Sequence, residues 1–292
     1  MRHQAQTLRR LAAVRQARSA EGQGCRVVAV TSGKGGVGKT NVAGNLAVAL
    51  TQRGLRVLVV DGDLGMADLN LVYGIAPRLT LLDVLAGRCT ISEVLARGPA
   101  GVYVLPACAA SFRMANLSDT ELQQMWAAIA QLEGAFDIMV IDTGAGIGAT
   151  SMTFAAAADQ PVLVVTPEPS SIADGYAVAK VLSSRLGVKR LWVLPNQVSS
   201  AREAHHTFRR LATLVGRFLD LSLVQLGHVP MDQAVAAAVR AGRPFQLDAP
   251  DGPAARGLRG VAQRLCSDSS TQARSGMVLF FHRCIEMHGG AV

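Results

Sequence analysis

Two lysines set among glycines, and three aspartates at the ends of apolar runs, are the residues of this chain best suited to chemistry. The segment Gly33-Lys34-Gly35-Gly36-Val37-Gly38-Lys39-Thr40 fits the phosphate-binding pattern G-x-x-x-x-G-K-[ST], with a second lysine directly after its first glycine. Gly35, Gly36 and Gly38 let the backbone curl so that several N–H groups converge on one anion. A helix starting here adds its positive end. Lys39 supplies a mobile positive charge for β- and γ-phosphates, and the Thr40 hydroxyl can ligate magnesium. The nucleotide-binding run therefore extends from Gly33 to Asn41. The alternative is a glycine-rich turn with a chance lysine. It loses to the context: a β-branched run, Val27 to Thr31, comes before, and a helix-like stretch, Asn41 to Arg53, comes after.

The carboxylates fall in matching places. Val57-Leu58-Val59-Val60-Asp61-Gly62-Asp63 puts two of them two residues apart at a strand end, and Ile138-Met139-Val140-Ile141-Asp142 puts a third at the end of another. In a magnesium–nucleotide site such groups hold metal waters and orient the attacking water. The competing role is helix N-capping, which aspartate also favours. Gly144, Gly146 and Gly148 after Asp142 suit a backbone that approaches a γ-phosphate and orders on it. The nucleotide is expected to be ATP. Guanine sites carry an N-K-x-D run after a late strand, and here the corresponding place reads Pro195-Asn196-Gln197-Val198-Ser199. Asn196 is a candidate for the adenine amino edge, or else a turn residue.

The elements that must position these groups alternate. Short apolar runs are expected as strands at 27–31, 56–60, 102–105, 137–141, 162–166, 191–194 and 223–229. Helices are expected near 40–53, 80–86, 91–97, 118–132, 149–158, 171–186, 201–219, 232–240 and 253–265. Such alternation predicts an α/β fold, a doubly wound and mostly parallel sheet with helices on both faces and ligands at the carboxyl ends of the strands. Four segments follow: an N-terminal arm (1–22), the nucleotide-binding domain (23–266), a polar linker (267–276) and an amphipathic tail (277–292).

Composition narrows the class. No apolar run reaches the roughly 18 residues of a membrane span, and the basic N-terminus has no apolar stretch behind it to make a secretory signal. A cytoplasmic location is expected. The five cysteines, Cys25, Cys89, Cys108, Cys266 and Cys284, are scattered and form no C-x-x-C pair. That argues against a disulfide framework, a zinc site or a simple cluster motif. The net charge is +8, and the first 20 residues hold Arg2, Arg9, Arg10, Arg15 and Arg18 without an acid, so +5 sits there and +3 (8 − 5) elsewhere. Such an arm is either a partner-binding element or a solvated tail.

These motifs resemble the deviant Walker A ATPases of the MinD/ParA class. The phosphate loop with Lys34 carries the resemblance, together with Asp61-Gly62-Asp63 as a first switch and Ile141-Asp142-Thr143-Gly144-Ala145-Gly146-Ile147 as a second. Within the class the chain is most similar to the flagellar-number regulators of the FlhG/FleN/YlxH branch. The resemblance implies a slow, regulatory ATP hydrolase that forms an ATP-dependent homodimer with Mg2+. Lys34 would reach the partner copy's phosphates, while Lys39 and Thr40 serve phosphate and magnesium in cis. Asp63 would orient the hydrolytic water. Asp61 and Asp142 would support the metal, and Asn196 with Pro230 and Asp232 would frame adenine. Crossed lysines also have a physical rationale, since two facing triphosphates repel.

Both termini fit that branch. His3-Gln4-Ala5-Gln6-Thr7-Leu8-Arg9 departs from the family's D-Q-A-x-x-L-R element only in its first residue. The resemblance implies that this arm binds and stimulates FlhF, an SRP-type GTPase, with Gln4 as the activating residue. Ala5, Leu8, Leu11 and Ala12 form a helical apolar stripe. In the tail, Met277, Phe280, Phe281, Cys284 and Ile285 share one helical face. That face suits peripheral binding to the inner membrane in the ATP-bound state, through Phe280, Phe281 and Ile285; docking on the chain's own domain is the alternative. Flagellar switch-ring proteins and a flagellar transcription regulator are further candidate partners. Competing functions are a MinD-type division-site regulator and a ParA-type partitioner touching DNA phosphates through arginines such as Arg202, Arg209, Arg210 and Arg217. No sequence-specific DNA binding is expected. An iron–sulfur carrier of the same superfamily lacks support without paired cysteines.

Overall fold

The computed structural model describes residues 24–63, 69–106, 118–267 and 276–289. The arm with Gln4, most of the linker and Cys108 lie outside the described residues.

The first strand, β1 (Arg26–Thr31), feeds the phosphate loop and then helix α1 (Lys39–Thr51). Strand β2 (Val57–Gly62) follows, then three short helices, α2 (Leu69–Tyr73), α3 (Leu81–Leu85) and α4 (Ile91–Val94). An edge hairpin comes next, β3 (Ala96–Arg97) with β4 (Tyr103–Leu105). The middle of the chain runs α5 (Asp119–Ala130), β5 (Ile138–Thr143), α6 (Ala149–Ala157), β6 (Gln160–Val165), α7 (Pro169–Ser184), β7 (Arg190–Val198) and α8 (Ala201–Phe218). It ends with β8 (Ser222–Gln225), β9 (Val229–Pro230), α9 (Gln233–Ala241), α10 (Phe245–Asp248), α11 (Pro253–Ser267) and α12 (Gly276–Gly289). The sheet order is β3-β4-β2-β5-β1-β6-β7-β8, with β9 beside β7. Every pairing is parallel except β3 with β4.

Side-chain alternation divides the core between two faces. Val28 and Val30 of β1 point to the side covered by α1, α2 and α11, while Val27 and Ala29 point to the side of α5 and α12. Leu163 and Val165 of β6 continue that second side under α7 and α8. Both faces are covered, and the central strands are apolar throughout for that reason.

The expected elements are present, with five local differences. The expected helix 91–97 stops at Val94, because Leu95 turns to an extended conformation and Ala96–Arg97 pair with β4 as strand β3. Strand β7 runs on to Val198 through Pro195, because β9 supplies a new neighbour at Asn196 after β6 ends opposite Pro195. The expected strand 223–229 is two strands, broken at Gly227, whose φ of 139° suits glycine. Helix α7 begins at Pro169, two residues before its expected start, since proline fits the first helical position. Strand β3 and helices α2 and α10 are too short to leave a periodic signal.

The tail takes the docked arrangement, one of the two that its sequence left open. Helix α12 packs on the domain, and the face expected to meet a membrane is the face it buries: Met277, Phe280 and Cys284 are fully buried, Phe281 nearly so, and Ile285 packs against the same cluster. Phe280 stacks near Phe154 of α6, with ring centroids 6.1 Å apart. A carboxylate fixes the helix start: Glu133 Oε2 accepts from the Val278 N–H at 3.0 Å. The cause is ordinary apolar burial, since β1, α5 and α6 offer this stripe a matching surface.

Candidate functional site

The phosphate loop lies at the carboxyl end of β1 and needs its glycines. Gly36 and Gly38 have φ of 80° and 85°. A Cβ on Gly33 would sit 2.3 Å from the Asp174 carbonyl carbon, and one on Gly38 would sit 2.6 Å from Asn196 Nδ2. Gly38 caps α1 without a side-chain hydrogen bond, which leaves the first N–H groups of the helix for an anion. The loop is clamped from the end of β7. Asn196 Nδ2 donates to the Val37 carbonyl at 2.7 Å, and Gln197 Nε2 donates to the Gly36 carbonyl at 3.4 Å. Asn196, expected at the adenine edge, thus uses one of its two amide N–H bonds to hold the loop. Gln197, with φ of 57°, is a clamp residue that sequence reasoning missed.

Lys39 is buried, and its Nζ donates to Asp142 Oδ1 at 2.6 Å. Burial raises the Asp142 carboxyl above the ordinary carboxylate range, opposed by Lys39 and by a hydrogen bond from Thr40. Asp61 sits beside Asp142 in the parallel register of β2 and β5. Burial first, and the Asp142 charge second, push its pKa up to about 8. Backbone N–H groups of Asp63 and Leu69 donate to the two Asp61 oxygens at 3.2 and 3.4 Å, which works against that rise. Two carboxylates that resist ionisation beside one ammonium are short of positive charge, the complement a divalent cation provides. Magnesium is commonly held by one or two carboxylates with waters and phosphate oxygens, and Thr40, Asp61 and Asp142 fit that donor set.

Asp63 is half-buried, and a Cβ on Gly144 would lie 3.7 Å from Asp63 Oδ2, so the two switches face each other. The Gly146 N–H donates to the Ser32 carbonyl at 2.8 Å and ties the second switch to the phosphate loop. Lys34 stays within its own chain, where Nζ bonds Glu168 and donates to Ser170 Oγ at 2.9 Å. Glu168 and Ser170 carry no motif signal in the sequence.

A cavity of about 210 Å3 opens beside the loop, with Asn41, Val42, Pro230, Met231, Asp232 and Phe245 among its walls. It is largely apolar, as a purine site would be. Asp232 lines it but is committed elsewhere: Oδ1 accepts from the Ala234 N–H at 2.9 Å and Oδ2 from the Ala254 N–H at 3.2 Å. The sequence points to Pro230 and Asp232, and Phe245 joins them through a four-residue helix. Gly33 to Asn41, Asp61, Asp63, Asp142, Asn196, Pro230 and Asp232 therefore converge on one strand edge. Phe280, Phe281 and Ile285 lie on α12.

Known proteins share this fold. The ParA family model, described as "NUBPL iron-transfer P-loop NTPase", matches residues 24–266. The chain is 39% identical over 263 residues to the antiactivator FleN of Pseudomonas aeruginosa, covering 90% of this chain and 94% of that protein. It is 31% identical over 269 residues to the flagellum site-determining protein YlxH of Helicobacter pylori, covering 90% and 91%. Among solved structures, the Pyrococcus furiosus cell division ATPase MinD superposes with a TM-score of 0.69 at 30% identity, over 82% of this chain and 98% of that one. The Pyrococcus horikoshii septum site-determining protein MinD, complexed with Mg-ADP, gives 0.70 at 27% identity, over 86% and 99%.

Proposed function

The chain belongs to the ParA/MinD family of P-loop NTPases, and on that premise we propose that it is an ATP-driven dimerising switch that sets flagellar number or placement. It is an ATP-binding hydrolase that uses Mg2+. The observation that carries the flagellar reading is the 39% identity to FleN over nearly the full length of both chains.

The residues divide the work. The loop amides and the start of α1 take the phosphates, with Lys39 leaving Asp142 to follow them. Bound magnesium supplies charge neutralisation for the phosphate oxygens. Asp63, facing Gly144, orients the water. Lys34 releases Glu168 and crosses to a second copy, so ATP favours the dimer and hydrolysis the monomer. Turnover is slow and serves as a timer. The N-terminal arm stimulates FlhF through Gln4. Helix α12 alternates between its docked place and the cytoplasmic face of the inner membrane, where Phe280, Phe281 and Ile285 enter the interface and two copies gain by avidity. Switch-ring proteins or a flagellar transcription regulator are further partners. Iron transfer is not extended to this chain, whose five cysteines contain no C-x-x-C pair.

A MinD-type role in division-site placement is the second reading, favoured by the superposition on MinD. Flagellar counting by electron microscopy in cells lacking the chain separates the two. An altered count, restored by the wild type and not by Lys39→Ala, supports the flagellar reading. A normal count with misplaced septa overturns it in favour of the second.

A further inference from the structure

We propose that the basic N-terminal arm of this chain docks intramolecularly in a groove at the start of α12, lined by Gly24, Glu133, Gly276, Val278, Leu279 and His282. The groove measures about 510 Å3. Helix α12 buries Met277, Phe280, Phe281 and Cys284, yet its outward face carries two large apolar side chains, Val278 at 55% and Leu279 at 44% exposure. They sit in the first turn of the helix, beside the turn that supplies Glu133.

Three observations point to the arm as the occupant. Residue 24 lines the groove, so the 23 residues before it are tethered at its edge. A short tether gives an effective concentration on the order of millimolar, enough to populate a weak contact. The arm also has the matching apolar pattern, with Ala5, Leu8, Leu11 and Ala12 at helical spacing. Charge is complementary as well. The arm has five arginines and no acid in its first 20 residues, while Glu133 borders the groove and Glu286 lies on the same face of α12 as Leu279 and His282. The 23 residues before Gly24 are long enough to reach along α12, whose 14 residues span about 21 Å.

The docking stands on the groove alone. Its consequence rests on the proposed role of the arm: while α12 is docked the arm is held on it, and departure of α12 frees both together. Partner stimulation is then confined to molecules whose tail has left the domain.

The test is cleavage of the full-length chain by an arginine-specific protease, read by mass spectrometry at Arg9, Arg10, Arg15 and Arg18. The wild-type arm is expected to be cut about tenfold more slowly than in Leu279→Lys, since cleavage follows the population of the open form. Leu8→Asp should open the arm to a similar degree. Cleavage at Arg283, half-buried on α12, checks that the variants keep the helix in place. Equal cleavage of wild type and Leu279→Lys overturns the proposal. Protection that grows with protein concentration also overturns it, by assigning the groove to a second copy. Neither readout involves FlhF or flagella, so failure here is distinct from failure of the functional reading.

Discussion

Lys39 and Asp142 form a buried ion pair at 2.6 Å, with side chains 9% and 2% exposed, on the floor of the phosphate loop. The pair joins the start of α1 to the end of β5. Removing one member of such a pair leaves the other buried without a counter-charge. Lys39→Met should therefore abolish ATP binding and lower stability of the nucleotide-free protein by about 3 kcal/mol. Urea melts compared with the wild type provide the measurement. An unchanged midpoint would show that Asp142 simply takes up a proton.

Gly38→Ala tests the clamp from β7. Its φ of 85° and the 2.6 Å approach of Asn196 Nδ2 leave no room for a methyl group. The loop must shift, so ATP affinity should fall by about two orders of magnitude or more while the cost in stability stays near 1–3 kcal/mol. Titration calorimetry reads the first and thermal melting the second. A variant that binds ATP normally would show that the clamp gives way at no cost.

Lys34→Ala separates the two lysines. Lys34 bonds Glu168 and Ser170 on the surface of its own chain, so its loss should barely change stability, as is usual for exposed pairs. ATP binding should persist, and the ATP-dependent dimer should be lost in sedimentation velocity. Retention of the dimer would remove the crossing role from Lys34.

Asp63→Ala is expected to bind ATP and remain dimeric, with hydrolysis reduced by at least about a hundredfold, the scale of a lost base or water-positioning group. A variant that turns over ATP at the wild-type rate would clear Asp63 of that task.

Much of this site is legible in the sequence because its parts are local. The phosphate loop and Asp63 follow an apolar strand, Asp61 and Asp142 lie at the end of one, and in a parallel sheet strand ends share one edge. Position along the chain then becomes position in space. Gln197, Glu168 and Phe245 are hidden for the opposite reason: each reaches the site from a distant segment by a contact no periodicity encodes. The tail shows a different limit. An amphipathic stripe states that one face must be covered, and the sequence does not say by what. Met277, Phe280 and Cys284 find β1, α5 and α6.

Cys284 reports on that choice. It is fully buried on α12, and burial pushes its thiol well above the ordinary range. Thiolate is scarce there at pH 8, so iodoacetamide should modify Cys284 far more slowly than the partly exposed Cys266. ATP with anionic vesicles should raise the Cys284 rate if the helix leaves the domain. A rate unaffected by both would keep α12 as a permanent part of the fold.

The two oxygens of Asp232 begin two helices at once, α9 through Ala234 and α11 through Ala254. The position thus demands an acceptor on each side, a symmetry that among neutral side chains of this size none supplies. Asparagine has nearly the same shape but one oxygen, and its amide would turn N–H toward N–H at one of the two helices. At this wall of the apolar cavity the substitution nearest in form is far from nearest in effect, and charge rather than volume sets which residues the position tolerates.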